Sequence, residues 1–495
     1  MARRRARSDE IWARGLVAAI AAVTLLHLLA LALGLVPAHF DEAQYWTYGR
    51  DLSAGYYSKP PLVAWLIRVS TDLFGASLFG LRVAAPLCHA WIAWLIFAAA
   101  RHLFDARTGF WAGVGYLAAP GVIASSGLMT TDPVMMLAWA GALYAAVRLQ
   151  ADRGAEIWWI TLGATVGLGL LAKYTMIAFV GGLLGHALFT RRRKVPWRGV
   201  GLASLAALVV LSPHLLWLAG NGFVTIAHLG ENADAGRSGL QPGALAEFFF
   251  GQLGVIGPVF FVAILWAGLS RAAWRDAGRR ALLVWLTLPL ILVMLVAALL
   301  EGANLNWAAP AYVAGSILAA DALLRVRWRR AWPIWLQTGT GAVSFLVMTG
   351  AAALYADYHA GLPRAPDPFK KMRIGPVFCE RVLTAMEETG AETLLSDDRR
   401  RLAECAFVGG LEPGDLRVWN PTGRVTNHYE MQNSLAPGEG RAPMIFATLR
   451  PAISPDVAAR FADAEELETG EAATHVDRSF AFSIWRVEGF EGYGP

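Results

Sequence analysis

Apolar runs of about 20 residues recur along this chain, long enough to cross a ~30 Å hydrocarbon core as α-helices that satisfy their own backbone. Spans are expected near 14–36, 78–101, 108–124, 132–149, 157–172, 175–190, 199–220, 248–269, 281–300, 307–324 and 332–355, about eleven in all. Composition agrees. Of 495 residues, 56% are hydrophobic and 16% charged, with mean hydropathy +0.43, whereas a soluble domain carries about 25% charge. The chain therefore reads as a polytopic α-helical membrane protein. The first run follows "MARRRAR" like a signal peptide. It is long for one and lacks a small-residue cleavage site, so it is read as a retained helix.

The formal net charge is +5. Nucleic acid would be the usual partner of a basic chain, but here the arginines fall in short clusters between apolar runs, which is how membrane topology is encoded. With Arg3, Arg4, Arg5 and Arg7 in the cytoplasm, alternate connections carry Arg101 and Arg107, Arg148 and Arg153, Arg191 to Lys194, Arg271 to Arg280, and Arg325 to Arg330. The opposite connections, "SSGLMTTDP", "LLAKYTM", "GNGFVTIAHLGENADAGRSGLQPGALAE" and "EGANLNWAAP", are poor in positive charge. An odd number of spans puts the C-terminus outside.

Near His359 the pattern changes. "GLPRAPDPFKKMRIG" is a Pro-rich charged linker of the kind found at domain boundaries. We expect a membrane domain over 1–357 and a soluble α/β domain over 358–495. In the latter, "VFCERVLTAMEETG" has helical spacing, "ETLLSDD" and "APMIFATL" read as strands, and "RSFAFSIWRVE" alternates like an edge strand. Cys379 and Cys405 would be able to pair if this domain is exported, or remain two thiols. Cys88 lies in an apolar run and reads as a core residue.

The topology collects unusual polar residues on one face. The first outside loop, 37–77, carries His39, Asp41, Glu42, Tyr45, Arg50, Tyr56, Tyr57 and Lys59. "PPLVAWLIRVSTDLFG" within it has the spacing of an interfacial helix. Other outside loops carry Asp132, Lys173 and Asn306. Each residue has a plainer role open to it. Asp132 would serve as an N-cap ahead of Pro133. Lys59 and Lys173 would snorkel. The adjacent carboxylates Asp41 and Glu42 are harder to dismiss, because they repel and an aromatic neighbourhood disfavours their charge. The pair implies a cation, a donor network or chemistry. A lysine held before Pro60 and Pro61 at headgroup level suits a phosphate.

At "FDEAQYW", "YYSKPPLVAW", "TTDP" and "GLLAKYT" the sequence resembles the GT-C membrane glycosyltransferases that use polyprenyl-phosphate sugars, above all the protein O-mannosyltransferase and lipid A aminoarabinose transferase group. The resemblance implies that Asp41 is the essential first-loop aspartate, that Lys59 contacts the lipid phosphate, and that Asp132 is the aspartate of the second outside loop. It also implies a bacterial inner-membrane location and a glycolipid or protein acceptor. One departure is Ser58, where the aminoarabinose transferases have an acidic residue that helps hold a metal. This counts against zinc and leaves a divalent ion near Asp41 and Glu42 as the only cofactor expectation. "WNPTGRVTNHYEM" looks like bacterial members whose acceptor is uncertain, so His428 and Tyr429 receive no role.

Chemically, the protein must neutralise a departing phosphate, which assigns Lys59, with Lys173 or Arg50 assisting. Asp41 is the expected base, with Glu42 or Asp132 positioning it or binding sugar hydroxyls. His39, Tyr45, Tyr57 and Asn306 are candidate substrate contacts. The rival class is a transporter or flippase of a lipid-linked sugar. Transporters place polar residues near the midplane on broken helices, commonly in repeated halves. Here the polar residues sit in loops on one face, and no second half matches. A non-catalytic scaffold would leave Asp41, Glu42 and Lys59 unexplained. A monomer is expected.

Overall fold

A computed structural model describes residues 2–152, 154–190, 196–228, 239–275, 279–325, 332–354, 363–365, 367–439 and 441–493. The arginine-rich clusters at 191–194 and 327–330, most of the long loop around 229–238 and the start of the linker at 359–362 lie outside the described residues, as do the side chains of Arg3 to Arg5. The chain divides into two units. The first holds Met1–Ala30, Lys59–Val63 and Arg82–Met348; the second holds Leu31–Ser58, Ala64–Leu81 and Thr349–Pro495.

Helices come in the order α1 (Ala2–Ala32), α2 (Phe40–Arg50), α3 (Leu62–Phe74), α4 (Leu78–Arg82), α5 (Ala84–Leu103), α6 (Ala106–Leu117), α7 (Pro120–Ser126), α8 (Thr131–Ala151), α9 (Glu156–Ala172), α10 (Ile177–Thr190), α11 (Trp197–Gly220), α12 (Pro242–Val255), α13 (Pro258–Leu269), α14 (Arg271–Arg275), α15 (Arg279–Leu300), α16 (Ala311–Arg325) and α17 (Trp332–Ala353). Among the described residues, five helical stretches are long and apolar enough to cross a membrane, or six if the bent pair α12 and α13 forms one span. The chain is thus a multi-pass membrane protein. Small residues let its helices approach closely. A Cβ on Gly163 of α9 would lie 1.9 Å from the Ala203 carbonyl of α11, so that contact admits no side chain.

Two expected spans are broken. The stretch 108–124 is interrupted between α6 and α7, where Pro120 starts a new helix. The stretch 248–269 is two helices meeting at 114°. Gly257 takes φ +91° at the corner, and Pro258 opens α13. Polar backbone freed there needs partners in an apolar setting. Gln337 of α17 supplies them. Its Nε2 donates to the Ile256 carbonyl at 2.7 Å and the Gly115 carbonyl at 3.4 Å, while its Oε1 accepts from the Phe260 N–H at 3.4 Å.

In the second unit, α18 (Ile374–Thr389), β1 (Thr393–Ser396), α19 (Arg399–Gly409), β2 (Leu416–Val418), α20 (His428–Gln432), β3 (Met444–Thr448), α21 (Pro455–Ala458), β4 (Phe461–His475) and β5 (Arg478–Phe490) build one five-stranded sheet, ordered β2-β1-β3-β5-β4. β1 runs parallel to β2 and β3, and β5 runs antiparallel to β3 and β4. Leu395, Phe446, Val487 and Phe490 centre its core. β5 is therefore interior and not the expected edge. The edge is β4, whose Glu465, Glu466, Glu468 and Glu471 look helical in sequence but put on a strand edge the charge that discourages pairing with another chain. Cys379 of α18 and Cys405 of α19 form a disulfide, with Cα atoms 4.9 Å apart and a sequence separation of 26. Closing a loop of that size stabilises by about 3 kcal/mol.

Candidate active site

The expected site residues fall into two groups, one in each unit. In the first unit, Asp132 stands in the first turn of α8. Thr130, not Asp132, is the N-cap, and its hydroxyl accepts from the Asp132 N–H at 3.3 Å. The Asp132 carboxylate is only 9% exposed and is engaged at both oxygens. Lys173 Nζ lies 2.6 Å from Oδ1, and Asn306 Nδ2 donates to Oδ2 at 2.5 Å. Lys173 is the C-cap residue of α9, and Asn306 sits in the 3-10 turn Leu305–Ala308 after α15. Three separate connections thus converge on one side chain. Lys173 is therefore not isolated, because its ammonium is paired with Asp132. Lys59, half-buried beside the buried Pro60 and Pro61, also belongs to this unit.

In the second unit, α2 opens with a capping box. His39 Nδ1 accepts from the Asp41 N–H at 3.2 Å, and Glu42 Oε2 accepts from the His39 N–H at 2.9 Å. Such reciprocal caps satisfy two donors left open at a helix start. Glu42 is fully buried in this task. Asp41 is different. Its side chain is 39% exposed, and its Oδ2 stands 3.6 Å from His39 Nδ1. That nitrogen already accepts a hydrogen bond, so it presents a lone pair and the approach is not an ion pair. Neighbouring helix positions diverge by about 100°, and Glu42 is turned back to the cap. The two carboxylates therefore do not converge on one point, where a divalent ion near them had been left open. Among the described residues, no three His, Cys, Asp or Glu side chains cluster as metal ligands.

The rest of α2 carries several polar side chains yet is buried from Glu42 to Gly49, and Gln44, Thr47 and Tyr48 find hydrogen-bond partners there. Thr47 Oγ1 donates to the Gln44 carbonyl, so in its 2.6 Å bond to Tyr429 the phenol is the donor. Tyr48 stacks on Tyr56 at 4.4 Å, and the His428 ring meets Tyr48 edge-on at 4.5 Å. Trp46 packs edge-on against Phe407 of α19. Tyr45 and Tyr57 are 3% and 4% exposed, and the Tyr57 hydroxyl donates to the Val425 carbonyl at 3.1 Å. Both rings are packed inside the second unit. Arg50 is held in a two-pronged ion pair by Glu412, one arm being Nε to Oε2 at 3.0 Å. The guanidinium expected to assist the donor phosphate is therefore already paired with a carboxylate. His428 and Tyr429 thus gain a role that the sequence did not supply: they support α2.

The family described as dolichyl-phosphate-mannose-protein mannosyltransferase matches residues 58–217. The chain belongs to the GT-C membrane glycosyltransferases of the lipid A aminoarabinose transferase group, and it is an enzyme, a glycosyltransferase. It is 31% identical to the lipid A galacturonosyltransferase RgtD of Rhizobium johnstonii over 434 residues, covering 86% of this chain and 89% of the relative. It is 29% identical over 305 residues to an undecaprenyl phosphate-alpha-4-amino-4-deoxy-L-arabinose arabinosyl transferase of Pseudomonas aeruginosa, a match that spans about half of that protein, 52%. Its fold is similar to ArnT from Cupriavidus metallidurans bound to undecaprenyl phosphate, with TM-score 0.66, 17% identity, and coverage of 94% of this chain and 97% of that one.

Proposed function

We propose that the protein moves a monosaccharide from a polyprenyl-phosphate carrier onto lipid A or a related glycolipid at the periplasmic face of a bacterial inner membrane. The observation that carries this reading is the similarity to a lipid A galacturonosyltransferase along nearly the whole of both chains. Asp41, half-exposed on an otherwise buried helix, orients the acceptor and takes its proton where the acceptor is a hydroxyl. Where the acceptor is an ionised phosphate, Asp41 acts by positioning alone. Lys59 neutralises the charge that develops on the departing lipid phosphate. A single displacement inverts the anomeric centre.

The reading includes a topology: about eleven spans, the N-terminus in the cytoplasm, and a periplasmic domain over 358–495 following a membrane domain over 1–357. Two observations support it. Asp132, Lys173 and Asn306 meet although they belong to three connections that the charge pattern assigns to one side. The Cys379–Cys405 disulfide suits an oxidising compartment.

The test is transfer in vitro. Purified full-length protein is given a polyprenyl-phosphate sugar and lipid A, and the lipid is weighed by mass spectrometry. A gain of one sugar residue, with the anomeric configuration inverted, is expected. Failure to glycosylate lipid A or any lipopolysaccharide fragment with either a uronic acid or an amino-pentose donor overturns the reading.

A further inference from the structure

The segment "WNPTGRVTNHYEM", which received no chemical role from the sequence, helps line a cleft of about 450 Å³ in the second unit. Its walls come from the residues just beyond three parallel strands. Asp397, Asp398, Arg399 and Arg400 follow β1; Val418 ends β2, with Asn427 and Glu430 beyond it; Thr448 ends β3, followed by Leu449 and Arg450. The chain leaves β1 for β2 on one side, then crosses to β3 on the other. The cleft thus opens at the carboxyl ends of the strands where the strand order reverses, the place where open α/β sheets bind ligands.

Its chemistry is mixed. Arg399, Arg400 and Arg450 supply donors, and Asp397, Asp398 and Glu430 supply acceptors. Asp398 and Asn427 are fixed as helix caps through their oxygens. The Asn427 amide nitrogen takes no part in that cap. Glu430 binds the Thr426 backbone and hydroxyl through Oε2 alone. Arg450 stands 3.2 Å from Asp397 and is 70% exposed. The buried Thr448 hydroxyl lies at Asp397, and burial holds that carboxyl above the usual carboxylate range. A bare anion would face three carboxylates as well as three guanidinium groups. A phosphorylated saccharide uses both sets: guanidinium groups grip phosphate oxygens as a fork, while sugar hydroxyls donate to carboxylates. The cleft also adjoins the helix that carries Asp41. The Arg400 guanidinium lies over the Phe40 ring, 5.0 Å from its centroid, and Phe40 immediately precedes Asp41.

We propose that this cleft binds the phosphorylated saccharide headgroup of the lipid acceptor and delivers it toward the Asp41 end of α2. The inference rests on the reading of Asp41 as the catalytic carboxylate, but its test does not need turnover.

Binding of three probes to the full-length protein in detergent is measured directly: lipid A bearing both phosphates, lipid A stripped of phosphate, and glucosamine 1-phosphate. Intact lipid A should bind best, and Arg399→Ala and Arg450→Ala should each weaken it by tenfold or more. In the transfer assay the same variants should raise the acceptor KM and leave the donor KM unchanged. Arg450 is exposed, so its variant retains the fold. Equal binding of intact and dephosphorylated lipid A overturns the proposal, as does unaltered binding in both variants. Glucosamine 1-phosphate binding as tightly as lipid A would assign the cleft to a soluble sugar phosphate and overturn the lipid acceptor. Intact binding that depends on the arginines, beside an absence of transfer, would leave the cleft standing and sink the catalytic reading alone.

Discussion

Asp132 and Asp41 occupy almost the same local position. Each stands in the first turn of a helix opened by a polar cap, and each donates its N–H to the side chain of the residue two before it. Their surroundings separate them. Asp132 is neutralised by Lys173, bonded by Asn306 and nearly closed to solvent. Asp41 faces a histidine lone pair and keeps more than a third of its side chain exposed. A carboxylate with both oxygens occupied holds structure together, whereas one with open oxygens can meet a substrate. The first ties three connections together, and the second is the more open carboxylate.

The contrast breaks most readily at Asp41. Asp41→Asn should lower kcat by roughly 10²–10⁴-fold, the range of general-base catalysis, with expression and thermal stability unchanged. A variant within a few-fold of the parent in the transfer assay would move the chemistry elsewhere. Asp132→Ala should act in the opposite way, through the fold. It strands the Lys173 ammonium, and breaking a buried pair costs about 3–5 kcal/mol, which melting in detergent would register. Lys173→Met combined with Asp132→Leu should recover part of that loss. A stable but inactive Asp132→Ala would instead put this residue in the reaction.

Lys59→Ala tests the cation assigned to the leaving phosphate. Donor KM should rise about 10-fold or more while acceptor KM stays put, and Lys59→Arg should recover only part, because a planar guanidinium does not replace a compact ammonium at a fitted site. Donor titrations that overlay the parent would reduce Lys59 to a snorkelling residue. The smallest effect concerns the support beneath α2. Burial pushes the His428 imidazole down to about 4, so it folds neutral. The unfolded chain takes up a proton near pH 6.5 and the folded one resists until about 4. The stability that His428 contributes is therefore complete above pH 6.5 and is lost as pH falls toward 4. Melting across that window should drop by a few degrees more in the parent than in His428→Gln; parallel curves would remove His428 as the cause.

Much of this was legible in the sequence because periodicity and charge are local signals. The apolar stretches, the glycine stop of α18, β1, β3 and the helix α3 follow from spacing. The break at Gly257 was visible only as "GP" inside an apolar run, because what stabilises it is an amide from α17. β4 was missed since its Glu and Ala residues favour helix in isolation, and only pairing with β5 overrides them. In the candidate site, "DE" could not say that Glu42 turns back to cap the helix while Asp41 stays half-exposed. The pairing of Arg50 with Glu412 was hidden because Glu412 lies 362 residues away. The cleft beyond β1, β2 and β3 is assembled from segments whose proximity only the sheet order creates.

The corner between α12 and α13 has a consequence for the order of events during synthesis. The carbonyl freed there at Ile256 is bonded by Gln337, 81 residues later. At about 5–20 residues per second, that amide arrives roughly 4–16 seconds after the corner has left the ribosome. Until then the polar backbone at the bend has no permanent partner inside the bilayer, and the nascent chain must borrow one from water, lipid headgroups or the insertion machinery. The last helix of the bundle is in that sense the keystone of an arch whose stones were cut in advance.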